Sequence, residues 1–259
     1  MNQTNLEFLL KEKYGYSDTE IFILKKDDPK FETLASDIKK EIDLLEQGYP
    51  LDYIIGFTHF VDCKIDLSLK PLIPRVETEY WVSKVLQDIS LYENLDVLDL
   101  FTGSGCIGIA TIVSHRHSRV VFTDISNKAL KQVHKNLDIN GIKNNFELVK
   151  SDIFSKLKGR KFDLIFANPP YIDRNDPNIG EEIKYEPKEA LFADSEGFAV
   201  IEQFLSDAFL HLNDQGKIYM EFGYNQKEKI ENLLSMSRYS SWKFNKDQFG
   251  KWRWVEINL

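Results

Sequence analysis

From residue 95 onward, short runs of branched and aromatic residues alternate with amphipathic stretches, and no other feature of the chain restricts its fold so much. LDVLDLF (95–101), RVVFTD (119–124), FELVKSD (146–152), KFDLIFANPPY (161–171) and GKIYMEF (216–222) read as strands. CIGIATIVSH (106–115), NKALKQVHKNLDING (127–141), FAVIEQFLSDAFLHL (198–212) and QKEKIENLLSM (226–236) read as helices between them. Strands that alternate with helices imply a mostly parallel sheet covered on both faces. The closing aromatic segment, KWRWVEINL, suits an edge hairpin. In an open sheet of this kind ligands bind beyond the carboxyl ends of the strands. The residues that fall there are Thr102 to Gly105, Asp124, Asp152 and Asn168 to Tyr171, all polar, glycine or proline.

Upstream, residues 1–48 carry helical periodicity, with Leu6, Phe8, Leu9 and Leu10 in a first stretch and Phe31, Leu34, Ile38, Ile42 and Leu45 in a second. Pro50 and Gly56 punctuate a boundary. The alternation from Phe60 to Leu69 predicts a small β-hairpin, closed by Pro71 and Pro74, with Thr78 as the N-cap of the next helix. The expected organisation is therefore a helical segment (1–48), a linker with a hairpin (49–76) and a catalytic domain (77–259).

Composition excludes several classes. With 42% hydrophobic residues in 259 the chain is too apolar to be disordered, and its formal charge of -8 gives no global basic field for a phosphate backbone. The two cysteines, Cys63 and Cys106, have neither disulfide nor metal-ligand spacing, and no metal is expected. No window approaches the roughly 18 apolar residues that span a bilayer, and the N-terminus lacks the pattern of a secretory signal. A soluble, cytoplasmic protein without stable nucleic-acid or membrane association is expected.

The turn GSGCIG (Gly103, Gly105, Gly108) follows a strand, opens a helix, and is succeeded by Asp124 at the end of the next strand. Glycines there let the backbone approach a ligand at a helix N-terminus. The pattern fits a dinucleotide or S-adenosylmethionine equally, since Asp124 can accept from ribose hydroxyls in either.

Asn168-Pro169-Pro170-Tyr171 breaks the tie. Two successive prolines remove two backbone donors and stiffen the turn, so the Asn168 side-chain oxygen and the Pro169 carbonyl can face one point. Two acceptors suit an NH2 group on a planar substrate, for which a dehydrogenase has no evident use. An amide nitrogen is a weak nucleophile because its lone pair is delocalised; hydrogen bonds to fixed acceptors orient that lone pair and strengthen as the nitrogen gains positive charge. Tyr171 would supply a wall for the planar group.

LDLFTGSGCIGIA, Asp124, SDIF (151–154) and NPPYI (168–172) together look like the methyltransferases that act on glutamine and adenine amino groups. YIIG (53–56), the hairpin from His59 and Phe60, LIPRVETE (72–79) and EPKEALFADSEGFAVIEQFL (186–205) narrow this, and over roughly residues 50–259 the chain resembles the PrmC/HemK family of peptide-chain-release-factor glutamine methyltransferases. The resemblance implies a class I S-adenosylmethionine-dependent fold, Rossmann-like, with a seven-stranded, mostly parallel sheet, a small N-terminal helical domain and a linking β-hairpin. It implies that Phe101, Thr102, Gly103, Ser104, Gly105 and Asp124 bind S-adenosylmethionine, and that Asp152 and Ile153 flank the adenine, Asp152 accepting from its amino group. Asn168 would touch cofactor and substrate, and the run through Pro169, Pro170 and Tyr171 would hold the target amide. The implied reaction is N5-methylation of the glutamine in the GGQ loop of a class-1 release factor. The chain departs from the family pattern at Val76, where proline is usual, at Phe101, where a small residue is common, and at Ile153, where some members carry an aromatic residue.

Two other readings share these motifs. An adenine-N6 DNA or RNA methyltransferase would also use NPPY, but the acidic charge and the want of a segment for base recognition count against it. A catalytically silent cofactor-binding module is disfavoured by the intact Asn168 and Tyr171. Arg75, Glu77 and Glu79 either orient substrate or the NPPY loop, or only complement a helix dipole. His115 and His117, and the basic run Lys156, Lys158, Arg160 and Lys161, read as solvated surface, and the Trp252–Trp254 tail as an edge strand packed on a helix.

Overall fold

The computed structural model describes residues 3–23, 36, 38–177 and 179–259. These residues group into two compact units, one within Met1–Phe57 together with Ile179–Tyr185, the other Thr58–Asn178 with Glu186–Leu259.

In the smaller unit, α1 (Gln3–Tyr14), α2 (Asp18–Ile23), α3 (Lys39–Glu46) and α4 (Leu51–Ile55) are short helices. Leu9 of α1 and Ile54 and Ile55 of α4 form a small apolar cluster with Leu44, Leu45 and Tyr49 around it. Ile38, buried at the start of α3, and Leu45 follow the expected periodicity; Phe31 and Leu34 lie outside the described residues. Tyr185 belongs to this unit: its ring meets Tyr49 edge-on at 4.8 Å and its hydroxyl donates to the Gln47 carbonyl at 3.0 Å.

The larger unit is built on a seven-stranded sheet. Its strands are β3 (Asp96–Leu100), β4 (Arg119–Asp124), β5 (Phe146–Lys150), β6 (Phe162–Ala167), β9 (Leu212–Glu221), β10 (Ser241–Lys246) and β11 (Trp252–Asn258), in the order β10-β11-β9-β6-β3-β4-β5. All neighbours from β9 to β5 are parallel, and β11 runs antiparallel to both β9 and β10. The expected edge hairpin is present with β10 outermost, so the strand that carries Trp252 and Trp254 is second from the edge. Helices α5 (Val76–Asp88), α6 (Cys106–Ser114), α7 (Asn127–Ile139), α8 (Ala199–Asp207) and α9 (Lys227–Ser235) follow the strands or precede them. The core gathers Leu98, Val121, Ile165, Ile218 and Val255 from five neighbouring strands against Phe204, Leu205 and Ile230 of two helices. Burying a phenylalanine such as Phe204 contributes about 1.5–3 kcal/mol relative to exposure.

Strand register lines up the carboxyl edge of the sheet. Leu100 pairs with both Thr123 and Ala167, so β4, β3 and β6 end together. From β3 the chain steps outward through β4 to β5, then returns to place β6 on β3's other side, which puts the reversal of strand order between β3 and β6. In open α/β sheets that is where the ligand crevice opens.

The ribbon of β1 (Phe57–Phe60) and β2 (Cys63–Asp66) begins three residues before the expected Phe60. A row of amides on α7 holds it. Asn136 Oδ1 accepts from the Asp66 N–H, Gln132 Oε1 from the Leu69 N–H and Asn140 Oδ1 from the Lys64 N–H, at 2.8–3.1 Å. These residues are spaced i, i+4, i+8 on one helix face. Helix α5 starts at Val76 with Arg75 as its N-cap residue, which corrects the expectation for Thr78. Thr78 is buried inside the first turn and its hydroxyl is engaged elsewhere. Val76 occupies the first helical position, where proline is favoured because no N–H is needed, so valine there leaves the helix start intact.

Candidate active site

The glycine-rich turn after β3 is held open by its backbone. Phe101, Gly103 and Gly105 have φ of 61°, 54° and 82°, in the left-handed region that glycine enters freely and phenylalanine does not. The Phe101 ring packs edge-on against Phe204 at 6.1 Å, which anchors the strained residue in the core. Asp99, missed by the sequence reading, sets the turn from below. Its Oδ2 accepts from the Thr102 hydroxyl at 2.6 Å and the Gly108 N–H at 3.0 Å. Burial pushes its carboxyl up to about 7, against the opposing pull of those two donors. Gly108 is required for packing: a Cβ there would stand 2.8 Å from Phe122 Cζ, nearer still to its Cε1, and 2.9 Å from Asp99 Oδ2. Asn136 of α7 closes the turn by donating to the Ser104 carbonyl at 2.9 Å.

Asp124 faces this turn from the end of β4. Its Oδ2 accepts from the Gly103 N–H at 3.0 Å and its Oδ1 from the Ser126 N–H at 2.8 Å. Each oxygen keeps a lone pair for a further donor. Burial raises its pKa, while the two backbone donors lower it. Among the described residues no basic side chain is paired with it, which suits a carboxylate that shares ligand hydroxyls. The segment after β5 divides: Asp152 is exposed, whereas the Ile153 side chain lies in the central core. Ile153 takes φ 43°, a strained value for a β-branched residue, so the backbone bends sharply at this strand end. A stacking side chain is therefore not what position 153 offers.

Across the β3/β6 divide stands the Asn168–Tyr171 loop. Glu221, at the end of β9 and 1% exposed, gathers three donors behind it: the Tyr171 hydroxyl at 2.9 Å on Oε1, and the Thr78 hydroxyl at 2.7 Å and Trp81 Nε1 at 2.8 Å on Oε2. Asn168 Nδ2 donates to Thr78 Oγ1 at 3.5 Å. Burial, and the Glu221 charge beside it, hold the Tyr171 phenol well above its ordinary pKa, so it is a fixed donor and not an acid or base. Gln226 braces the loop from another side, its Nε2 donating to the carbonyls of Tyr171 at 3.0 Å and Gly197 at 3.2 Å. The strand pair β7 (Ile172–Asp173) and β8 (Phe192–Ala193) pins the chain just beyond it. Among the described residues no bond is made to the Pro169 carbonyl, which leaves that acceptor available.

The four strand-end segments expected to form a site thus share the carboxyl edge of the sheet in the order β6, β3, β4, β5. Sequence reasoning missed Asp99, Glu221 and Gln226. Glu221 had a signal, as the lone carboxylate closing the apolar run KIYMEF; Gln226 had none. Of the residues left open, Arg75 pairs with the buried Glu186 at 2.5 Å, whose other oxygen accepts from the Ile73 N–H at 3.0 Å, and Glu79 accepts from the Val61 N–H at 2.6 Å. Both therefore hold chain segments together. His115 is half-buried and its pKa lowered by burial, in contrast to the solvated reading, while His117 is exposed. Arg160 of the basic run makes a two-pronged contact with Glu147 at 2.9 and 3.0 Å. Among the described residues no cluster of three His, Cys, Asp or Glu is placed to hold a metal, and no helix is long and apolar enough to cross a membrane.

The family model described as "Methyltransferase small domain" matches residues 81–218. A release factor glutamine methyltransferase of Lactococcus lactis is 36% identical over 82% of this chain and 78% of its own. One of Francisella tularensis is 36% identical over 94% of this chain and 86% of its own. Among solved structures, a ribosomal protein L11 methylase from Lactobacillus delbrueckii shares the fold with a TM-score of 0.54 at 22% identity, covering 74% of this chain and 82% of that one.

Proposed function

The chain belongs to the release factor glutamine methyltransferases, and on that premise we propose that it methylates the side-chain nitrogen N5 of the glutamine in the GGQ loop of a class-1 release factor. The observation that carries this reading is the Asn168–Tyr171 loop, braced by Glu221 and Gln226 and set across the β3/β6 divide from the glycine-rich turn.

The residues present fit S-adenosylmethionine. The turn from Phe101 through Thr102, Gly103 and Ser104 to Gly105 offers a backbone cradle, open at Gly103, where a Cβ would meet only the Phe101 carbonyl, at 3.9 Å. Asp124 would accept from the ribose hydroxyls, and the exposed Asp152, with the backbone at Ile153, would border the adenine. Bound there, the cofactor supplies a methyl group on a positively charged sulfur, electrophilic enough to react without a metal.

The chain's own residues then have to orient a poor nucleophile. The Asn168 Oδ1 and the Pro169 carbonyl accept the two protons of the substrate NH2, which aims the nitrogen lone pair at the methyl group. As the nitrogen takes on the methyl group, positive charge would grow on it and both acceptors would bind it more strongly, which would lower the barrier selectively. The extra proton leaves the nitrogen after transfer, so no strong base is needed beside it. Tyr171 walls the amide plane. The expected place of action is the cytoplasm, where release factors work.

The test is transfer of labelled methyl from S-adenosylmethionine to a purified class-1 release factor and, in parallel, to DNA, by wild type and Asn168→Ala. Label at the GGQ glutamine that Asn168→Ala fails to introduce supports the reading. Label in DNA alone, or equal transfer by both proteins, would sink it.

A further inference from the structure

We infer that Glu221 and Thr78 form a relay of hydrogen-bond polarity that decides which end of the Asn168 amide faces the substrate. The relay rests on the function proposed above and adds two positioning residues to it.

An ionised carboxylate only accepts, an indole N–H only donates, and a hydroxyl has one proton to give. Glu221 Oε2 takes the Trp81 Nε1 proton at 2.8 Å and lies 2.7 Å from Thr78 Oγ1, so the single proton of the Thr78 hydroxyl is committed to the carboxylate. What Thr78 has left is lone pairs. Asn168 stands 3.5 Å from that oxygen, and only its NH2 end is compatible with it. The amide oxygen is thereby turned the other way, as an acceptor.

The two ends of an asparagine amide have nearly the same shape, so packing alone distinguishes them poorly. Reversed, Asn168 would set its oxygen against the lone pairs of Thr78 and present two donors to a substrate group that itself only donates. The buried carboxylate removes that alternative two bonds away. Glu221 also receives the Tyr171 hydroxyl on its other oxygen at 2.9 Å, so one side chain orients both ends of the loop. The spacing that builds the relay is local: Thr78 and Trp81 lie one helical turn apart on α5, both fully or nearly fully buried, and both point at the end of β9.

The experiment compares Thr78→Val, which keeps the shape and removes the hydroxyl, with Thr78→Ser, which keeps the hydroxyl. Methyl transfer to a release factor gives kcat and KM, calorimetry gives the cofactor Kd, and melting reports folding. Thr78→Val should lower kcat roughly 10- to 100-fold, with cofactor Kd near that of wild type, when assayed at a temperature where melting shows it folded, and Thr78→Ser should recover most of the loss. A second readout is independent of substrate: the side-chain amide NMR signal of Asn168, assigned by its disappearance in Asn168→Asp. One of its protons should exchange slowly in wild type and Thr78→Ser and fast in Thr78→Val. An unchanged kcat in Thr78→Val, an equal loss in Thr78→Ser, or an exchange pattern indifferent to position 78 would overturn the relay. Failure of wild type to label the release factor would count against the proposed substrate, while the exchange data would still decide the relay.

Discussion

Gly197 lies against the carbonyl of Tyr171: a Cβ there would stand 2.8 Å from the carbonyl carbon and nearer still to its oxygen, at a φ of 79° that already disfavours any side chain. The chain approaches the reaction loop at this point with nothing between but hydrogen. Gly197→Ala should displace Tyr171 and cost about 1–3 kcal/mol of stability. Steady-state kinetics should show kcat reduced by more than the stability loss explains, with the cofactor Kd nearly unchanged.

The cofactor side has its own control point in Asp124. Asp124→Ala removes the acceptor for the Gly103 and Ser126 N–H groups along with the acceptor proposed for the ribose. A hydrogen bond to a charged group contributes about 1.5–3 kcal/mol, so loss of even one ribose contact should raise the cofactor Kd about 10- to 100-fold, and loss of both should raise it further. Calorimetric titration measures it directly, and a Kd equal to that of wild type would remove Asp124 from the site.

Stability should depend on pH through Asp99. Its carboxyl, 3.8 when unperturbed, is raised to about 7 by burial. Between those values the native protein holds a proton that the unfolded chain has lost, so stability falls as pH rises from about 4 to about 7 and is level above that. Asp99→Asn keeps an acceptor for Thr102 and Gly108 but cannot ionise. Urea unfolding at pH 5 and pH 7.5 should show a smaller loss of stability in the variant than in wild type; equal losses would mean that Asp99 titrates normally.

A fourth outcome concerns Asn136, which is fully buried and bonded to Asp66 on the ribbon and to Ser104 on the glycine-rich turn. Asn136→Ala strands the buried Ser104 carbonyl, for about 1–3 kcal/mol, and removes the partner of the part-buried Asp66 N–H. Thermal melts should show a large drop in Tm, whereas Asn140→Ala, at the exposed end of the same row, should cost far less.

The strand-helix order was legible because apolar periodicity and turn residues are local signals, and the sheet end carrying Thr102–Gly105, Asp124, Asp152 and Asn168–Tyr171 followed from it. What escaped was set by contacts between distant parts of the chain. Glu221 acquires its meaning only when β9 is laid beside β6 and α5, 140 and 143 residues from Trp81 and Thr78. Gln132, Asn136 and Asn140 scan as ordinary polar positions of an amphipathic helix, since their partners are backbone atoms of a ribbon over 60 residues upstream. Ile153 looked like a stand-in for an aromatic stacking residue until its φ and burial showed the side chain turned into the core. Thr78 had the chemistry of an N-cap and was instead spent on Glu221.

The short stretch Ile179–Tyr185 belongs to the same compact unit as the N-terminal helices, although the residues on either side of it belong to the other. The two units are therefore threaded and not strung in series, and a gene fragment cut at Phe57 would not cleanly separate them. Such a fragment would keep Tyr185 while discarding Tyr49 and Gln47, the partners of its ring and hydroxyl. In sequence the orphaned segment would run directly into Glu186, the partner of Arg75. Anyone seeking a minimal catalytic piece would need to excise or bridge residues 179–185 as well as trim the start of the chain.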